Sequence, residues 1–165
     1  MHVSRTFTVF ATIALLGVAC NDNNSTGIPS DVEIFKATLS GANEIPPLAA
    51  APSPATGTAT ITVIGNLVSW KVDVTNLSNV SIGHIHYGPA DSAGGVMVSL
   101  SPTPGTYTTS TTIALGSLVV NDTVLVHMRA GKTYVNIHTN DGVAPTNTGP
   151  GDYPGGEIRG QLRKQ

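Results

Sequence analysis

From residue 34 onward the chain alternates apolar and polar positions with a period of two, as half-buried β-strands do. The clearest segment is Leu67 to Thr75, where Val68, Trp70, Val72 and Val74 alternate with Ser69, Lys71 and Asp73. Its predecessor, Gly57 to Ile64, sets Ala59, Ile61 and Val63 on one face and Thr58, Thr60 and Thr62 on the other. Gly65-Asn66 between them is a two-residue turn of hairpin type, so these two strands are expected to pair antiparallel. Further strands are predicted over Phe35 to Leu39, Val80 to His86, Gly95 to Leu100, Tyr107 to Ala114, Thr123 to Met128, Thr133 to Thr139 and Glu157 to Leu162. Seven to nine short strands at this spacing predict an all-β, antiparallel, Greek-key-like β-sandwich in a single domain. Helical evidence reduces to a turn at Leu115 to Val120. Trp70 falls on the apolar face of its strand and is expected to anchor the core.

Composition agrees with the pattern. Eighteen glycines and 11 prolines beside Thr- and Val-rich runs describe short strands joined by tight turns. Two connections are long for a compact domain, Asn43 to Thr56 and Asn140 to Gly155, and loops of that length are commonly functional or disordered.

The N-terminus carries a different message. Arg5 precedes an apolar run from Phe7 to Ala19, too short to span a bilayer comfortably but suited to a signal-peptide core. Leu16-Gly17-Val18-Ala19-Cys20 resembles a bacterial lipobox, and that resemblance implies cleavage before Cys20 and lipidation of its thiol. A plain secretory leader cleaved nearby is the alternative, and either reading exports the chain. The expected organisation is a signal peptide over 1–19, a polar tether over 20–32 and one domain over 33–165. The expected location is the bacterial cell envelope, with the lipid on Cys20 as the membrane contact. Loss of Arg5 leaves seven basic against ten acidic residues, which argues against a nucleic-acid partner. Cys20 is the single cysteine, so no disulfide can form within the chain.

Four blocks then follow in order: Leu39-Ser40-Gly41-Ala42-Asn43-Glu44-Ile45-Pro46-Pro47; His84-Ile85-His86-Tyr87-Gly88-Pro89-Ala90; Ala130-Gly131-Lys132-Thr133-Tyr134-Val135-Asn136-Ile137-His138-Thr139; and Pro154-Gly155-Gly156-Glu157-Ile158-Arg159-Gly160-Gln161-Leu162. Their succession resembles the CHRD domain, the module first named from chordin, over about Phe35 to Leu162. The resemblance implies an antiparallel β-sandwich, with Glu44, Pro46, Pro47, Tyr134, Asn136, Glu157 and Arg159 as motif residues of structural weight. It implies a non-enzymatic binding or structural module, with an envelope or extracellular protein as the expected partner. Chordin's own growth-factor binding does not transfer, because its cysteine-rich modules are absent here.

His84 and His86 stand two apart on a predicted strand, so both side chains project from one face and can grip a single metal ion. His138 supplies a third ligand from a neighbouring strand. Imidazole suits copper and zinc, and copper binds the tighter of the two, so copper is the expected metal and zinc the second. The competing reading is a structural network, each histidine donating to a backbone carbonyl or an aspartate. His127 is the weaker candidate. The His-x-His element is also similar to the copper-bearing strand of copper/zinc superoxide dismutase, but that enzyme's other ligands and its disulfide have no counterparts, so dismutase activity is not expected. Glu157 and Arg159 are expected to pair with each other, or Arg159 with Glu44. No nucleophile elbow or suitably spaced pair of carboxylates points to catalysis.

Overall fold

The computed structural model describes residues 31–48 and 52–165. The leader, the lipobox with Cys20, and most of the tether lie outside the described residues.

Ten strands form one antiparallel sheet: β1 (Val32–Ser40), β2 (Thr56–Ile64), β3 (Leu67–Thr75), β4 (Leu77–Tyr87), β5 (Val96–Ser99), β6 (Gly105–Tyr107), β7 (Thr111–Val119), β8 (Thr133–Thr139), β9 (Ile158–Gln161) and β10 (Arg163–Lys164). The main path runs β5-β4-β8-β9-β1-β2-β3-β7, while β6 pairs with β4 and β10 with β1. The expected all-β antiparallel fold is therefore present. The path is continuous from β9 to β1, where Ser40 stands opposite Arg159.

The hairpin at Gly65-Asn66 forms as expected. Ile64 pairs with Leu67, and Gly65 takes φ 57°, a backbone state glycine enters without Cβ strain. Alternation then orders the buried face: Ala59, Ile61 and Val63 of β2 and Val68, Trp70, Val72 and Val74 of β3 are all buried. The sheet curls until these strands meet the residues after β5. Trp70 Nε1 donates to the Leu100 carbonyl at 3.2 Å, and Thr103 N donates to the Ile113 carbonyl of β7 at 2.7 Å. Trp70 is a core anchor, with its indole N–H satisfied.

Three local expectations are corrected. Thr123 to Met128 is no strand: it lies within helix α1 (Asp122–Arg129), capped by Asn121, whose Oδ1 accepts from Val124 N at 3.2 Å. The helix buries Val124, Leu125 and Met128, one face of a 3.6-residue period that a β-branched run disguised. Leu115 to Val120 is not a turn but chiefly the end of β7, where Leu115 and Val119 are largely exposed. The predicted strand over Tyr107 to Ala114 divides into β6 and β7.

Both long connections reach the carboxylate of Glu157, just before β9. Ser53, from the first, donates to Glu157 at 2.5 Å; Gly151, from the second, donates to the same carboxylate at 2.7 Å. β8 is buried along its whole length: Val135 and Ile137 join the core, while on the other face Tyr134 lies between His86 and Arg159 and His138 Nδ1 meets the Pro154 carbonyl.

Candidate metal centre

The register of β4 against β8 places the motif residues. His84 stands opposite Asn136, His86 opposite Tyr134 and Ile82 opposite His138. Directly opposed residues of antiparallel strands share a face, so the two-residue spacing of His84 and His86 brings both to the face that carries His138. The structure assembles the three sequence candidates: each can offer one ring nitrogen, and these nitrogens lie within 4.8 Å of one another.

Their hydrogen bonds set the tautomers. His86 Nδ1 lies 3.0 Å from the Gly94 carbonyl and His138 Nδ1 lies 2.9 Å from the Pro154 carbonyl. A carbonyl only accepts, so both Nδ1 atoms carry the proton and both Nε2 atoms keep a lone pair. This is how metal-ligating histidines are held, the far nitrogen donating and the near one free. His138 Nε2 faces His84 Nδ1 at 3.3 Å, so in the metal-free protein His84 donates there. His86 Nε2 is buried and has no hydrogen-bond partner.

Burial also keeps the cluster neutral. It pushes the His138 imidazolium down to about 4, and the same cause lowers His86 and His84. His84 is the partly exposed member and gives the cluster its opening to solvent. Three neutral imidazoles with an accessible side suit a divalent or monovalent transition metal.

A stack of flat groups supports this arrangement. The His86 ring lies against Tyr134, centroids 5.0 Å apart and 7° from parallel, and the Arg159 guanidinium carbon sits 3.5 Å from the centre of the same Tyr134 ring. Arg159 also donates to the Pro89 and Ser92 carbonyls at 2.8 Å each. Gly94 N donates to the Tyr134 hydroxyl at 3.1 Å, so one short loop is tied to the tyrosine, to the arginine and to His86.

The expected ion pairs of Arg159 do not close. Glu157 is fully buried just before β9, and takes Thr139 Oγ1 at 2.6 Å in addition to Ser53 and Gly151. Glu44 receives Asn136 Nδ2 at 3.3 Å, while burial pushes its carboxyl up to about 7 against the pull of Arg159. Glu44 Oε1 and Asn136 Oδ1 both lack partners. Pro46 and Pro47 flank Glu44 along the wall of a small cavity shared with Tyr153 and Gly156.

The residues from 35 to 162 match the model of the CHRD domain. The chain belongs to the CHRD family. No curated protein and no solved structure matches it. Membership supports a binding module, and CHRD domains are not known as enzymes. His127 of this CHRD domain lies on α1 against the Tyr87 ring, centroids 4.5 Å apart, and stays apart from the histidine cluster. Sequence reasoning missed the carbonyls of Gly94 and Pro154, which leave no side-chain signal, and the pairing of Glu157 with Ser53 and Thr139. The glycine and proline content of the segments after His86 and before Glu157 was the available clue, since it marked them as loops free to approach the strands.

Proposed function

We propose that this protein is a metal-binding module of the bacterial cell envelope, exported and lipid-anchored through Cys20, which holds one copper ion on His84, His86 and His138. One observation carries the reading. A structural network accounts for the Nδ1 bonds to Gly94 and Pro154, but it leaves the buried His86 Nε2 without a purpose, and a buried acceptor without a donor costs about 1–3 kcal/mol. A metal ion at the meeting point of the three rings supplies the missing partner. The ion replaces the His84–His138 hydrogen bond and leaves the two carbonyl bonds intact. Copper is preferred to zinc because its divalent ion binds nitrogen donors more tightly.

The test is the double variant His84→Ala/His86→Ala, compared with the parent by copper titration and by circular dichroism. Loss of tight copper binding with the β-sheet spectrum retained is the expected result. A variant that fails to fold, from a parent that folds without metal, would assign the histidines to the structural network instead.

A further inference from the structure

The outer face of β1 carries a second feature, remote in character from the histidine cluster. Lys36 points outward between the buried Phe35 and Ala37, and β10 sets Arg163 directly opposite it. Like charges facing each other across strands are destabilising, and sheets ordinarily avoid them. Here neither cation has an acidic partner among the described residues. The nearby Glu33 is already engaged, one oxygen by Arg129 and the other by Lys164, each at 2.6 Å.

The two cations border a groove of about 530 Å³ floored by Thr38, Thr58 and Thr60. Thr58 and Thr60 stand opposite Thr38 and Lys36 in the β1–β2 register, so their hydroxyls share that face. No acidic side chain lines the groove. In a chain with more acidic than basic residues, two cations without an acidic side-chain partner over a bed of hydroxyl donors, with Gln161 and Gln165 completing the wall, concentrate positive side-chain charge locally.

We propose that this groove is a second binding site, for a phosphate-type oxyanion, with Lys36 and Arg163 supplying charge and the threonines hydrogen bonds. Arg163 offers a planar fork of donors, Lys36 a mobile ammonium, and both strengthen their bonds when the acceptor is ionised. Binding also relieves the repulsion between the two side chains. The oxyanion belongs either to a lipid headgroup or to a soluble phosphate compound, and the chemistry of recognition is the same.

The experiment uses the mature chain from residue 20 onward carrying Cys20→Ser, so that neither the apolar leader nor an acyl chain contributes. Its binding is measured to phosphatidylglycerol vesicles, to phosphatidylcholine vesicles as the uncharged control, and to inorganic pyrophosphate. Saturable, salt-sensitive binding to phosphatidylglycerol or to pyrophosphate is expected, weakened roughly tenfold or more in Lys36→Thr/Arg163→Thr. Vesicle binding alone identifies a headgroup, and pyrophosphate binding identifies the soluble source. The charge-conserving Lys36→Arg/Arg163→Lys should retain binding. Equal binding by the parent and the threonine variant, no binding to either anionic probe, or equal loss in the charge-conserving variant would overturn the proposal.

Discussion

Glu44 shows how a residue can be legible as important while its role stays hidden. The sequence marks it by its place before Pro46 and Pro47, yet the burial that shifts its titration depends on loops from far along the chain. Its pKa rises from 4.5 to about 7, so its protonated form is the stabilised one in the folded protein. That contribution is full below the unfolded value and is lost as the pH rises through 7. Glu44→Gln, a neutral mimic of the acid, should therefore raise the melting temperature of the metal-free protein at about pH 8.5 and leave it little changed at about pH 5. An equal shift at both would contradict a buried, titrating Glu44. His138 has the opposite sign: its folded value of about 4 lies below the ordinary 6.5, so the unfolded chain takes the proton first. The metal-free protein should lose stability as the pH falls from 6.5 towards 4, and a copper-loaded protein should release its ion over the same fall, which a copper-selective electrode would follow. The three histidines themselves were readable, because strand alternation alone puts residues 84 and 86 on one face. The acceptors that orient them were not, because a backbone carbonyl belongs to every residue.

Strands were legible wherever one face meets the core and the other meets solvent. β3 illustrates this, with its bounds at Leu67 and Thr75 as expected from the alternation. Alternation fails where burial is two-sided or absent. The segment of α1 reads as a strand because Thr123, Val124 and Val126 favour β structure, although Asn121-Asp122 ahead of them is a helix-start signal and the buried set Val124, Leu125 and Met128 has helical spacing. The end of β7 misled for the other reason, because an edge strand's terminal residues leave the core and carry no pattern. Within the core, β7 meets β3 through a close approach: a Cβ at Gly116 would lie 2.8 Å from Trp70 Cζ2. Gly116→Ala should cost about 1–3 kcal/mol in chemical denaturation, since the indole is fixed by its bond to Leu100 and cannot easily yield. A neutral result would mean that β7 packs less tightly on the tryptophan than the structure shows.

At the scale of the whole molecule, one sheet serves two ends. Its inner face makes the core, and its outer face over β4, β8 and β9 gathers the buried polar side chains His86, Asn136, His138 and Arg159. The motifs that mark the CHRD family converge there, which explains why they are scattered in sequence and continuous in space. The anchor belongs to this scale too: Cys20→Ser should move the protein from the membrane fraction to the soluble fraction, and unchanged fractionation would remove the lipoprotein reading. The central claim, that the three histidines hold a metal, is tested most directly by elemental analysis of the untagged protein after equilibration with copper and zinc and exhaustive desalting. The account predicts one copper per chain, retained in preference to zinc; a protein that keeps neither metal would contradict it and leave His84, His86 and His138 as a structural network.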